Sequence, residues 1–177
     1  EHHLMGTVPT VMAHCIHLSG VEMDRMADTQ TMVSHCPYSN VNLSSGIAPI
    51  RKLFERNIPI GLGSDISGGH IVSMAKVLTN AIGLSKMKWA EVDQNYAPLT
   101  LSEAFYMATK GGGQFFGHVG SFENGCELDA LIIDDTSLFD PNERSLEERL
   151  ERWLYVGDDR HIIERYVAGR VVPSPKG

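Results

Sequence analysis

The 177-residue sequence is poor in cysteine, has no long apolar run and carries no excess of positive charge. Its three cysteines, Cys15, Cys36 and Cys126, form no CxxC pair, which argues against a thiolate zinc site or a disulfide framework. Reduced thiols in a cytoplasmic protein are the expectation. No apolar run approaches the roughly 18 residues of a membrane span, and the net charge of -7 disfavours a nucleic-acid partner.

The remaining composition is that of a globular chain with a real core: 42% hydrophobic and 21% charged residues. The first residues have neither the basic region nor the apolar region of a signal peptide, and position 1 is Glu. We therefore expect a cut N-terminus, and we assign no role to His2 and His3.

Short apolar stretches alternate with helical spacings in the first half of the chain. The predicted strands are 11–13, 31–36 and 58–62, and the predicted helices are 21–28, 46–56 and 72–85. Ser19 is the predicted N-cap of the first helix. Strands separated by helices pair in parallel, because each crossover returns the chain to the same end of the sheet. The sequence therefore predicts an α/β fold.

The pattern changes after residue 119. A long helix is predicted for 101–116, with Gly111–Gly113 marking a kink or close packing. Beyond it lie a predicted strand at 128–134, a charged helix at 144–154, and two strands at 161–172 around a turn at Ala168 and Gly169. We expect two domains, residues 1–119 and a small β unit at 120–177.

Polar residues follow each of the three predicted strands, where chemistry collects in parallel sheets. Asp65 lies among Gly63, Gly68 and Gly69, and fits either a helix cap or a metal ligand and general base. His14 ends the first strand and is either a structural histidine or a site residue. His17 is three residues on, and shares a site with His14 only if the chain turns between them.

Two further polar groups carry weaker signals. His35 and Cys36 are adjacent on the second strand, so their side chains point to opposite faces and a nucleophilic dyad is disfavoured. The stretch from Asn40 to Ser45 is predicted to be a polar loop after Pro37, either lining a pocket or forming turns.

Five stretches together carry a family resemblance. They are Met12 to Ser19, Ser34 to Gly46, Gly61 to Gly69, Gly120 to Ala130, and Gly157 to Arg160 followed by Tyr166 to Arg170. In this order they resemble the C-terminal part of the metal-dependent deaminases of the amidohydrolase superfamily, and among these the guanine deaminases most.

This resemblance implies the last three strands, six to eight, of a (β/α)8 barrel of the TIM type, plus strands of a small β-sandwich. It implies a zinc site, or an iron site as the alternative, in which Asp65 is a metal ligand and accepts the proton of the metal-bound water. His14 corresponds to the histidine beside that water. The implied reaction converts guanine and water to xanthine and ammonia. No substrate-binding residue is identified.

The sequence departs from the family pattern because it contains no HxH and no HxxE before the first predicted strand. Three of four metal ligands are therefore missing, and we expect a segment that is inactive alone. We expect it to need a homodimer or an N-terminal half. Two alternatives stay open: another amidohydrolase, acting on an adenosine derivative or an s-triazine, and a non-catalytic binding or assembly module that retains His14 and Asp65 as relics.

Overall fold

Three parallel strands form the first sheet of the protein, whose computed structural model describes residues 5–138 and 140–173. The strands are β1 (Val11–Ala13), β2 (Met32–His35) and β3 (Ile60–Leu62). They lie in the order β1-β2-β3, and both pairings are parallel. The α/β class predicted from the alternating pattern is confirmed. The expectation about His2 and His3 lies outside the described residues.

Helices connect these strands and cover the sheet. They are α1 (Gly20–Asp28), α2 (Pro37–Asn42), α3 (Ile50–Glu55) and α4 (Met74–Glu91). Ser19 begins α1 through a capping box, since its hydroxyl accepts from the Glu22 amide and the Glu22 carboxylate accepts from the Ser19 amide. Helix α4 begins two residues later than predicted and ends six residues later.

The prediction of a loop throughout residues 40–45 was wrong, because α2 includes Asn40 and ends at Asn42. Pro37 is the reason: its fixed φ suits the first turn of a helix, where its missing amide hydrogen is not needed. The helix predicted from residue 46 begins only at Ile50, because Pro49 disfavours helical geometry in the residue before it.

The core lies between the first sheet and its helices. Its fully buried apolar side chains come from each layer: Val33 and Ile60 from the strands, and Leu53 from α3, Leu78 from α4 and Met107 from the helix that follows. Burial of such side chains contributes roughly 1.5–3 kcal/mol each. This packing holds the strand ends in place.

The predicted helix 101–116 is broken into α5 (Leu101–Ala108) and α6 (Lys110–Gly113), with Thr109 between them at φ -125 and ψ -102. Close packing requires glycine here. A Cβ at Gly111 would lie 2.8 Å from the Ile60 carbonyl oxygen, and one at Gly61 would lie 2.8 Å from the Gly112 Cα. Of the two alternatives expected at these glycines, close packing is confirmed, whereas the helix breaks at Thr109, before the first of them.

An antiparallel sheet forms the second part of the chain. Its strands are β4 (Ala130–Ile133), β5 (Ile162–Val167) and β6 (Arg170–Val171), and a charged helix, α7 (Leu146–Val156), lies between β4 and β5. The predicted turn at Ala168 and Gly169 is confirmed, with φ of 48° and 74°. Trp153 and Leu154 of α7 join the main core. The division between residues 119 and 120 stays a prediction.

The outer strand of the first sheet is exposed. Among the described residues β1 pairs only with β2, and Val11 and Met12 are 40% and 39% exposed. An open strand edge with apolar side chains is a surface on which further chain commonly packs. In the part of the chain that the structure describes, no helix combines the length and apolar character needed to cross a membrane.

A bidentate ion pair joins α3 to α5. The Arg51 guanidinium donates to both Glu103 carboxylate oxygens, at 2.6 and 2.9 Å. Glu103 also completes a capping box with Thr100 at the start of α5. The Arg51 hydrogen bonds, helped by those from Thr100, lower the pKa of Glu103 from 4.5 to about 2 despite partial burial.

Glu103→Gln should remove a pH-dependent part of the stability. Because the pKa is lower in the folded protein, this contribution is complete above pH 4.5 and is lost as pH falls through about 2. We expect wild type to melt above the variant at neutral pH, with the difference shrinking from pH 4.5 towards 2. Glu143→Gln, at an exposed position outside the network, is the control. A difference independent of pH would contradict this account.

Candidate active site

Three polar side chains meet at the carboxyl edge of the parallel sheet. His14 follows β1 directly, His35 is the last residue of β2, and Asp65 follows β3 after two residues. Since the strands are parallel, their carboxyl ends lie at one edge. The placement predicted for the polar clusters is thereby observed, while the chemical roles of His14 and Asp65 stay predictions.

The backbone turns sharply at both candidate residues. His14 and Cys15 have φ of 65° and 51°, and Asp65 and Ser67 have φ of 44° and 92°. Non-glycine residues in this left-handed region cost of order 1–3 kcal/mol and collect at functional sites. The amide of His14 still extends the sheet, donating to the Ser34 carbonyl at 2.9 Å. The chain therefore leaves β1 in a fixed direction that sets where the His14 ring lies.

His14 lies between an amide and a carboxylate. Its Nδ1 is 2.9 Å from Oδ1 of Asn40, and its Nε2 is 3.8 Å from Oδ2 of Asp65. The latter distance is too long for a hydrogen bond. The side chains of His14 and Asp65 are 41% and 38% exposed, so both open to solvent. The His14 ring and the Asp65 carboxylate therefore face the same solvent-accessible space.

Glycines allow the Asp65 loop to fold tightly against α2. A Cβ at Gly68 would lie 2.7 Å from Oδ2 of Asp65 and 3.1 Å from the Ser39 Cβ. The Gly69 amide donates to the Asp65 carbonyl at 2.7 Å, and the Asn42 side chain donates to the Gly68 carbonyl at 2.7 Å. These contacts hold the Asp65 loop against α2.

His17 makes a separate contact. Its Nε2 lies 2.9 Å from the Ser45 carbonyl oxygen, so this nitrogen carries the proton and is occupied as a donor. The chain does turn between His14 and His17, as the condition for a shared site required. This hydrogen bond nevertheless holds the His17 ring against the loop after α2, so the ring does not share a site with His14.

His35 is buried, which the sequence reasoning missed. It is 2% exposed, and burial, followed by the proximity of His14, lowers its pKa from 6.5 to about 4. Its Nδ1 is buried with no hydrogen-bond partner among the described residues. The available signal was its position at the end of the buried strand that begins at Met32. His35 is therefore a neutral group behind the site at neutral pH.

The two thiols near the site are poor nucleophiles. Burial is the main cause that raises the pKa of Cys15, and likewise that of Cys36. A raised pKa leaves less of the reactive thiolate. This agrees with the sequence argument against a nucleophilic dyad of His35 and Cys36.

A metal centre needs more than the described residues offer. Across residues 5–138 and 140–173, no three histidine, cysteine, aspartate or glutamate side chains are grouped so that they could hold a metal ion. Catalytic zinc sites use three or more protein ligands. The described residues by themselves thus do not fit zinc, and among them the Asp65 carboxylate is an accessible oxygen donor.

The chain belongs to the amidohydrolase family, whose profile matches residues 1–172. Within that family it is similar to guanine deaminases. It is 41% identical over 170 residues to the guanine deaminase of Dictyostelium discoideum, covering 92% of this chain and 38% of that protein.

Solved structures agree with this. The guanine deaminase from C. acetobutylicum with bound guanine in its active site matches with a TM-score of 0.91 and 51% identity, covering 96% of this chain and 40% of that one. An adenosine deaminase from Xanthomonas campestris with bound zinc matches at a TM-score of 0.75 and 24% identity, which shows the fold alone. The chain spans only about 40% of the structure it matches best among these.

His35→Leu should flatten the acid side of the stability profile. The pKa of His35 is about 4 in the folded protein against 6.5 for the free side chain. Between these values the unfolded chain binds more protons, so stability falls as pH drops from 6.5 to 4. We expect a smaller slope of unfolding free energy against pH in the variant, measured by urea denaturation.

The slope, rather than the absolute stability, is the quantity that tests this, because the substitution also changes packing. His118→Leu alters an exposed histidine and should retain the wild-type slope. An unchanged slope in His35→Leu would show that His35 is not the buried neutral group described here.

Proposed function

We propose that this chain is the C-terminal part of a hydrolytic guanine deaminase, which converts guanine and water to xanthine and ammonia. One observation carries the proposal: His14 and Asp65 face one solvent-open space at the carboxyl edge of a parallel sheet. The similarity to a guanine deaminase that holds guanine in its active site supports the choice of substrate.

In this proposal β1, β2 and β3 are strands six to eight of a (β/α)8 barrel, and β4 to β6 belong to a small β-sandwich. The parallel order and the exposed edge of β1 support the barrel assignment. Domains at 1–119 and 120–177 follow from it. The missing barrel strands would come from an N-terminal part of the same protein, with a homodimer as the alternative source of cover for the edge.

Asp65 and His14 have different roles in the proposed reaction. A water molecule adds to the ring carbon that bears the exocyclic amine, forming a C–O bond. The addition opens the ring C=N bond, and one proton of the water ends on that ring nitrogen. The Asp65 carboxylate accepts the other proton and returns it to the departing amine, so the C–N bond breaks, a C=O bond forms and ammonia leaves. His14 Nε2 faces the same space and accepts a hydrogen bond from the attacking water, which orients the water for addition.

We further propose that the whole enzyme uses zinc, with iron as the alternative, and that Asp65 is the one ligand contributed by this chain. An open carboxylate at the carboxyl edge supports this assignment, and the absence of a grouped ligand set in the described residues requires the others to come from elsewhere. The substrate is a small purine, and we propose a cytoplasmic location.

The test is guanine turnover by the longest natural form of the protein, with xanthine and ammonia both measured. We expect zinc-stimulated turnover in wild type. Asp65→Asn should lower kcat by about 10²–10⁴-fold, the range of general acid–base catalysis. Gly68→Ala should lower it about 100-fold, because the added methyl lies 2.7 Å from Oδ2 and turns the carboxylate aside.

Gly83→Ala is the matched control, since a Cβ there meets nothing within 4 Å and an alanine favours helix α4. Its kcat should equal that of wild type, with stability equal or higher. Circular dichroism establishes that each variant is folded. Absence of guanine turnover in wild type, combined with turnover of an adenosine derivative or an s-triazine, would replace guanine as the substrate. Turnover of none of them would favour a non-catalytic module.

A further inference from the structure

We propose that Asn40 is a positioning residue that holds the His14 ring in the orientation and tautomer the reaction uses. The inference rests on the proposed function for its kinetic consequence, although its structural part does not. Asn40 acts through His14, since its side-chain contact is with that ring.

Asn40 is held firmly enough to act as a positioning group. It is 1% exposed and lies on α2. The backbone amide of Asn40 donates to the Cys36 carbonyl at 3.1 Å, and its backbone carbonyl accepts from the Ser45 amide at 2.8 Å. Because the backbone is hydrogen-bonded through both its amide and its carbonyl and the side chain is buried, the side-chain amide of Asn40 is fixed in place.

The contact determines which nitrogen of His14 carries the proton. An amide oxygen can only accept, so the 2.9 Å contact from Asn40 Oδ1 requires a proton on His14 Nδ1. Neutral His14 then presents the lone pair of Nε2 towards the space beside Asp65. Without Asn40 the ring could rotate or change tautomer, and Nε2 would lose this role.

The other half of the Asn40 amide points to the same conclusion. Its Nδ2 is buried without a hydrogen-bond partner among the described residues, which destabilises the fold. Leucine has the same branched shape, although it is larger, and would occupy the position without an orphaned donor. A buried asparagine with one satisfied and one unsatisfied end is therefore explained by its bond to His14, not by packing.

Helix α2 sets both sides of the gap between His14 and Asp65. Asn40 holds the His14 ring, and Asn42 binds the Gly68 carbonyl in the loop that carries Asp65. Loss of the Asn40 contact should therefore disturb His14 alone and leave the Asp65 loop in place. Because only the His14 ring is disturbed, we expect kcat to fall while KM stays nearly unchanged.

The kinetic test compares Asn40→Leu and Asn40→Asp in the longest natural form of the protein. Asn40→Leu should lower kcat about 10–100-fold with KM nearly unchanged, the effect typical of losing a group that orients a site histidine. Asn40→Asp keeps an acceptor oxygen for Nδ1 but replaces the unpartnered donor with a charged oxygen. Because the acceptor is retained, this variant should keep clearly more of kcat than Asn40→Leu. Asn40→Ser, too short to reach the ring, replaces the leucine variant if that does not fold.

Asn80→Leu is the matched control. Asn80 is a partly buried asparagine of α4 whose Oδ1 likewise has no partner among the described residues. The same substitution there should leave kcat unchanged. Full kcat in Asn40→Leu, or equal losses in Asn40→Leu and Asn40→Asp, would overturn the proposal.

A spectroscopic test separates this inference from the proposed function. The nitrogen-15 shifts of His14 should show a proton on Nδ1 in wild type and Asn40→Asp, and a mixture of tautomers in Asn40→Leu. If wild type turns over no guanine, the proposed function fails and these spectra alone decide the role of Asn40. A proton on Nδ1 that persists in Asn40→Leu would contradict that role.

Discussion

The parallel pairing of three short strands is the constraint on which the rest of the structure depends. Because β1, β2 and β3 run in one direction, the residues that follow them meet at one edge although they are far apart in sequence. His14 and Asp65, 51 positions apart by number, come within 3.8 Å of each other there. A sheet of mixed direction would send them to opposite edges.

Site and core are linked through the short helix α2. It starts at Pro37 next to the buried end of β2, and its polar side chains contact both His14 and the Asp65 loop. Several features near the site are energetically unfavourable. The backbone is left-handed at His14 and Asp65, and buried nitrogens of His35 and Asn40 have no hydrogen-bond partner within residues 5–138 and 140–173. Packing in the rest of the fold offsets these unfavourable free energies. Such features concentrate at sites where function needs a fixed geometry.

Local signals predicted much of this arrangement. The alternation of strands and helices predicted the parallel sheet, and Ser19 and the turn at Ala168 and Gly169 appear where the sequence indicated. Helix α2 was missed because six residues are too few for an apolar period to show. The contact of Asn40 with His14 spans 26 positions and depends on tertiary packing, so no local sequence pattern predicted it. The break after α5 reflects packing of Gly111 against β3, which is also non-local.

The central claim is that this chain supplies one metal ligand, Asp65, and an adjacent unliganded His14 to a site completed from outside it. Zinc-edge anomalous diffraction from crystals of the longest natural form tests this most directly. The account predicts a peak about 2.0–2.2 Å from an Asp65 carboxylate oxygen, with His14 beyond bonding distance and the other ligands outside these 177 residues. A peak remote from Asp65, or one bound entirely by residues of this chain, would contradict it.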